Sequence, residues 1–201
     1  MSALPPARDP QGPYRICCVC LGNICRSPMA EVVLRDQLKK AGLGDKVVVD
    51  SAGTGDWHIG NRMDGKARKE LTRSGYDGES HRARQFQPSW LNERDLILAM
   101  DAANLRDLRA LAAPVRRASD GKARHRIGYP THGHLSGGRP PVSPEDQDRI
   151  RLFGEIADLG GQDVPDPYDG SADDFAHVRA LLEKGMSHLV AQLAALPGIS
   201  A

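Results

Sequence analysis

Residues 16–31 read ICCVCLGNICRSPMAE, and this stretch decides the fold. All four cysteines of the chain lie inside it, at Cys17, Cys18, Cys20 and Cys25. Arg15 to Cys20 reads as a short buried strand, apolar on both faces, as in a parallel sheet covered on both sides. A loop comes next. Ser27 and Pro28 then make a good N-cap and first-position pair for a helix. That helix carries Ala30, Leu34, Leu38 and Ala41 on one face, and Gly42 ends it.

Three readings of the cysteines compete: a metal clip, a disulfide staple, or a nucleophile in a loop that holds an anion. Structural zinc calls for C-x2-C pairs with a second pair farther along, and no cysteine follows Cys25. Adjacent strand residues point to opposite faces, so Cys17 and Cys18 do not share a site with ease. The cysteines also lie too close together to staple a secreted fold, which points to a reducing cytoplasm. Cys17 and Cys18 read as small core hydrophobes. Cys20 fits that reading poorly, because the seven residues after it carry a chemistry of their own.

From Cys20 to Ser27 the residues are C-L-G-N-I-C-R-S. A loop of this length curls so that successive backbone N–H groups turn inward. Such a nest binds an anion, and the helix N-terminus behind it adds partial positive charge. Gly22 and Asn23 are residue types that tolerate positive φ. Arg26 grips two oxygens at once, which a lysine does less well. The same field favours the thiolate of Cys20, and Ser27 is placed to hydrogen-bond it. The result is a phosphate cradle with a nucleophile at its floor.

Outward from this loop, strand and helix patterns alternate. KVVVDSAGTG (46–55) is a second strand running into a Gly-rich loop, and Asp64 to Ser74 is a second helix closed by Gly75. RDLILAMD (94–101) holds a third strand, after which Asp101 caps a helix with Leu105, Leu108 and Leu111 inward. The fourth strand is read at Arg149 to Ile156, with His125 to Tyr129 a second candidate. In the last helix Phe175, Val178, Leu182, Met186, Leu189, Leu193 and Leu196 step by three and four residues, behind a capping box of Ser171 and Asp174. Alternation of this kind argues for a parallel α/β sheet, in which ligands sit beyond the carboxyl ends of the strands. Roughly Arg116 to Asp148 breaks the pattern. It is rich in Arg, Gly, Pro and His and reads as an insertion or lid, most simply a tolerated surface loop.

Bulk properties exclude several classes. The 201 residues suggest one domain with a real core. A formal net charge of +1 gives no bulk electrostatic case for nucleic acid or membrane. No apolar run approaches the roughly 18 residues that a membrane span needs. Residues 1–13 hold four prolines, lack the apolar core of a signal peptide and read as a disordered tail. Residues 14–198 then form a single domain.

C-x5-R-S placed after the first strand narrows the choice further. So do VPDPYDG (164–170), DSAGT (50–54), Trp57-His58 with Gly60, and Met100-Asp101. With these motifs the chain resembles the low-molecular-weight protein tyrosine phosphatase family over roughly Arg15 to Leu196, less the insertion. The resemblance implies a four-stranded parallel sheet with helices on both faces, the phosphate-binding loop after the first strand and the insertion before the last. It implies hydrolysis of phosphotyrosine protein substrates and aryl phosphates, with no metal and no cofactor. Cys20 resembles the nucleophile, Arg26 the transition-state clamp and Asp166 the general acid. Leu21, Gly22, Asn23, Ile24, Cys25 and Arg26 resemble the phosphate-binding loop, which implies a phosphate or sulfate anion there. Asn23 resembles the residue that holds the loop in shape, and Ser27 the support of the thiolate. His81 resembles a prop of that loop, a polar loop residue being the plainer account. Cys25 resembles a second cysteine that closes a reversible disulfide with the nucleophile, which would keep Cys20 from irreversible oxidation.

The chemistry asks for an acid independently. A tyrosine leaving group has a pKa near about 10, so its expulsion as bare phenolate is slow. Asp166, between Pro165 and Pro167 in a stiffened loop, removes that problem. Trp57 and Tyr168 are the candidate walls of a slot for a flat phenyl ring, with His58 either joining them or turned to water. One departure stands out: Asp169 occupies the place where the family commonly has a second aromatic, which predicts weaker binding of acidic phosphopeptides. Two rivals remain. An arsenate-reductase-like protein needs further cysteines downstream, and a non-catalytic phosphotyrosine-binding module has no need of Cys20 or Asp166.

Overall fold

Among the described residues four strands build one sheet in the order β2-β1-β3-β4: β1 (Tyr14–Cys20), β2 (Val47–Gly53), β3 (Leu96–Ala99) and β4 (Ile150–Leu152). Every pairing is parallel, with Cys20 opposite Gly53 and Val19 opposite Ala99. The computed structural model describes residues 3–112 and 143–199. Its helices are α1 (Arg26–Lys40), α2 (Gly65–Arg73), α3 (Ala102–Ala112), α4 (Pro144–Gln147), α5 (Phe153–Ile156) and α6 (Ala172–Ala194).

Both faces of the sheet are covered, as the unbroken apolar runs of its strands require. Ile16, Cys18, Leu96 and Leu98 pack under α1 and α6 in one core. Cys17, Val19, Ile97 and Ala99 pack with Leu108 and Ala112 of α3 in the other. Neighbouring cysteines thus enter different cores, as strand alternation demands. α6 buries Phe175, Val178, Leu182, Met186, Leu189 and Leu193 along one stripe. Asp64 caps α2, accepting from the N–H groups of Lys66 at 2.7 Å and Ala67 at 3.2 Å. Between α2 and β3 the chain makes a 3-10 turn at Pro88–Asn92. There the Trp90 ring takes the guanidinium groups of Arg84 and Arg94 at 5.0 and 4.8 Å from its centre.

The strand order reverses between β1 and β3. In an open parallel sheet the crevice beyond the carboxyl ends at that point is where ligands bind. Cys20 ends β1 there, and Met100-Asp101 follows β3.

Three expectations are corrected. The fourth strand is read over 149–156, but β4 stops at Leu152 and α5 follows. The chain turns back at once: a Cβ on Gly154 would lie 1.9 Å from Gln162 O, and Gly154 O accepts from Leu159 N at 3.0 Å. Second, helix α1 begins at Arg26 with Cys25 in the capping position, and Ser27 makes no cap because its hydroxyl serves the loop. Third, the tail expected to be disordered makes defined contacts with the domain at several of its residues. Leu4 is buried, and Pro5 O accepts from Tyr14 Oη at 2.9 Å. The Arg8 N–H donates to Asp95 at 2.6 Å, and its guanidinium donates to Arg94 O, Leu91 O and Asp146. These partners are distant in sequence, so composition gives no sign of them. Within the expected insertion at 116–148, Ser143 and Asp146 form a capping box on α4, and Asp146 meets Arg8. The remainder of that segment, with the candidate strand His125–Tyr129, lies outside the described residues.

Candidate active site

Cys20 is buried at the end of β1, 3% exposed. Its Sγ lies 3.0 Å from Ser27 Oγ and accepts from Asn23 N–H at 3.3 Å. The Ser27 hydroxyl has one hydrogen and two acceptors in reach, Cys20 Sγ and Ala52 O at 3.2 Å. With Cys20 ionised the sulfur is the stronger acceptor, because a hydrogen bond to a charged group outweighs one to a neutral carbonyl.

Asn23 is the turning point of the loop. Its φ of 55° is the left-handed conformation that asparagine tolerates. Gly22, the other residue expected to use that freedom, is not at positive φ. Every polar group of Asn23 is bonded. Nδ2 donates to Ser27 Oγ and Ser51 Oγ, both at 2.9 Å. Oδ1 accepts from Arg84 N–H at 2.9 Å, and the carbonyl accepts from His81 Nε2 at 2.8 Å. His81 therefore props the loop from outside. Ser51 Oγ in turn donates to Glu31 at 2.5 Å, which ties the loop to α1.

Five loop carbonyls are engaged, that of Asn23 by His81 as above. Cys20 O accepts from Thr54 N–H, Leu21 O from Gly55 N–H, Ile24 O from Asp64 N–H and Cys25 O from Met29 N–H. The N–H groups of Gly22, Ile24 and Cys25 have no acceptor among the described residues. Acceptors turned out and donors left free are the signature of an anion nest. Gly53, inside the DSAGT segment, lies directly beneath: a Cβ there would stand 2.6 Å from Leu21 O and 3.2 Å from Asn23 N. In the sequence this glycine is one letter of a motif with no role of its own, since the close approach becomes visible only when β2 and the loop are seen together.

Arg26 closes the loop with its side chain 4% exposed. Nη1 donates to Asp101 at 2.6 Å and to Val164 O at 3.2 Å, and Nη2 to Asp166 at 2.5 Å. Its Nε is buried with no partner among the described residues. Burial works against the cation, but Cys20, Asp166 and Asp101 outweigh it and hold the guanidinium firmly charged. Asp101 caps α3 through Asn104 N–H, as expected, and also grips Arg26 with its other oxygen. Burial pushes the Cys25 thiol up, with help from Asp64 and Cys20.

Asp166 is anchored on both sides. Val164 N–H donates to Met100 O at 2.8 Å, and Tyr168 N–H to Asp166 Oδ1 at 3.2 Å. A cavity of about 390 Å³ opens above Cys20, lined by Leu21, Gly22, Ile24, Cys25, Arg26, Trp57, His58, Asp166, Tyr168, Asp169 and Gly170. Asn23 and Ser27 are 1% and 0% exposed and stand behind this surface. Trp57 and Tyr168 flank the mouth with 67% and 49% exposure. Trp57 lies over Gly55, where a Cβ would fall 1.8 Å from its ring. His58 joins the lining, its ring 6.3 Å from that of Tyr168.

A doubly covered parallel sheet with a buried thiol beside unpaired backbone donors at its reversal point defines an α/β protein with its candidate site beyond the carboxyl ends of the strands. The family model described as low molecular weight phosphotyrosine protein phosphatase matches residues 15–127 and 128–196. The low molecular weight protein-tyrosine-phosphatase of Streptomyces coelicolor is 41% identical over 178 residues, 89% of this chain and 92% of that one. Among solved structures, the protein tyrosine phosphatase of Entamoeba histolytica superposes with a TM-score of 0.71 at 28% identity, covering 90% of this chain and 96% of that one. Vibrio vulnificus Wzb in complex with benzylphosphonate gives 0.66 at 26% identity, covering 90% and 100%. The chain belongs to the low molecular weight protein-tyrosine-phosphatase family. No helix among the described residues is long and apolar enough to cross a membrane.

Proposed function

We propose that the chain hydrolyses phosphotyrosine monoesters through a cysteinyl-phosphate on Cys20. The observation that carries this reading is the loop itself: free N–H groups at Gly22, Ile24 and Cys25 next to a buried sulfur and an arginine whose Nε lacks a partner among the described residues. The phosphoryl oxygens take these donors and Arg26, which offset charge as the transition state develops. The thiolate of Cys20 attacks phosphorus, the P–O bond to the ring breaks, and Asp166 gives its proton to the leaving phenol oxygen. Asp166, now a carboxylate, takes a proton from water. The water oxygen attacks phosphorus, the P–S bond breaks, and inorganic phosphate leaves with Cys20 again a thiolate.

Trp57 and Tyr168 sandwich the ring, and His58 extends that wall. Leu21 completes the floor of the loop. Asn23 and Ser27 act from behind as positioning residues, through the bonds that shape the loop and cradle the sulfur. Neither a metal nor a cofactor has a part in these steps. That Vibrio vulnificus Wzb has been solved in complex with benzylphosphonate supports a phosphonate- or phosphate-like ligand for this fold. All four cysteines are free, which favours a reducing cytoplasm as the working compartment.

Oxidant acts on the same sulfur. A sulfenic acid on Cys20 condenses with the Cys25 thiol, forming the S–S bond and releasing water. Peptide mapping after peroxide treatment should find a Cys20–Cys25 link that dithiothreitol removes.

The deciding experiment is stopped-flow hydrolysis of p-nitrophenyl phosphate in EDTA. Wild type should give a phenolate burst, Cys20→Ser none, and Asp166→Ala slow release. Wild type that binds phosphate without turnover would make the site a binding module.

A further inference from the structure

Asp169 is an exposed carboxylate on the lining of the same cavity as Cys20. No ion-pair or hydrogen-bond partner for its side chain exists among the described residues. Its neighbours are already committed. Asp166 pairs with Arg26. Lys66, whose ammonium reaches this loop, donates to Gly170 O at 2.7 Å. Three of the five exposed large hydrophobic side chains among the described residues, Leu21, Trp57 and Tyr168, lie in the lining, and a fourth, Ile59, follows Trp57 by two residues. Exposed apolar side chains around the cavity fit a chain segment that continues past the phosphotyrosine.

We propose that Asp169 is a specificity-determining residue that selects phosphotyrosine segments carrying a basic side chain beside the phosphorylated ring. This rests on the phosphatase reading and adds the charge of the substrate's flanks to it. A lysine or arginine next to phosphotyrosine finds at Asp169 an anion with no competing partner among the described residues, and a glutamate there meets repulsion. The pair forms in water at the rim, so the effect is modest and screened by salt.

The test compares kcat/KM for two phosphotyrosine peptides that differ only in lysine or glutamate flanks, with p-nitrophenyl phosphate as a reference. Wild type should favour the lysine peptide by roughly three- to tenfold, the size of an exposed charge effect, and the ratio should shrink as salt rises. Asp169→Asn should bring the ratio close to one, and Asp169→Lys should invert it. Equal rates on both peptides in wild type, or a preference that persists unchanged in Asp169→Asn, would overturn the proposal. Absence of turnover on p-nitrophenyl phosphate itself would overturn the phosphatase reading instead, so the two failures are told apart.

Discussion

Arg26 Nη2 and the Asp166 carboxylate meet at 2.5 Å across 140 residues of sequence. The proposed acid therefore rests on the cation that the proposed substrate must use. Anion and carboxylate compete for one guanidinium edge, while Asp101 keeps its hold on the other.

That competition separates binding from chemistry. Asp166→Asn should lower turnover of phosphotyrosine by about 10²–10⁴, the usual contribution of a positioned acid. The same variant should bind inorganic phosphate several-fold more tightly, because a neighbouring negative charge is gone. Inhibition constants for phosphate, set beside kcat, measure both. Weaker phosphate binding in the variant would show that Asp166 does not compete.

Gly53→Ala should damage the loop out of proportion to its size. The new methyl group meets backbone at 2.6 Å, which a rotamer change cannot relieve. Overpacking of this kind costs about 1–3 kcal/mol, and kcat/KM should fall by at least tenfold. Gly65→Ala, with open space around it, is the control and should be neutral. Thermal melts and p-nitrophenyl phosphate kinetics on both variants give the comparison.

The four thiols should differ sharply in reactivity. Burial drives Cys17 and Cys18 well above the ordinary cysteine range, and pushes Cys25 up as well. A raised thiol pKa leaves less nucleophilic thiolate at any given pH. Iodoacetamide near about pH 7 should therefore mark Cys20 alone, and phosphate should protect it. Raising the pH to about 9, past the ordinary thiol value, should still not recruit the other three. Peptide mapping of the folded protein reads this directly, and labelling of Cys25 at the rate of Cys20 would contradict it.

Arg8→Ala should loosen the fold and leave catalysis alone. The Arg8 side chain donates to two carbonyls and to Asp146, beside Asp95 at the start of β3, the end of the sheet away from Cys20. Losing these bonds should cost about 2–3 kcal/mol and lower Tm by about 4–12 °C for a chain of this size. Calorimetry and steady-state kinetics together check it, with kcat expected within about twofold.

What the sequence reveals is what is local. The Cys20–Arg26 loop is legible because the proposed nucleophile, the turn residues and the proposed clamp sit within seven positions, and α6 because its apolar stripe repeats without interruption. The second duty of Asp101 is not legible: capping α3 fully accounts for one oxygen, and the partner of the other is Arg26, far earlier in the chain. Ser27 misleads for the same reason, since Ser-Pro is a sound capping signal until Cys20 and Asn23 claim the hydroxyl. β4 is overextended because IRLFGEI (150–156) reads as one mainly apolar run, and only the approach of Gln162 to Gly154 shows where it turns. The leader is misjudged because proline-rich composition describes a chain with no partners, whereas Leu4, Arg8 and Tyr14 have them.

The chain has two tryptophans, and they stand in opposite surroundings. Trp57 rides over Gly55 at the mouth of the cavity with two thirds of its surface in water. Trp90 is half-buried against two guanidinium groups and the edge of Phe86. Trp57 should therefore emit to the red, meet added quencher and respond to a ligand that fills the cavity, while Trp90 should be the less accessible ring and respond to unfolding. A single fluorescence titration can follow ligand and unfolding on separate channels, with no dye attached.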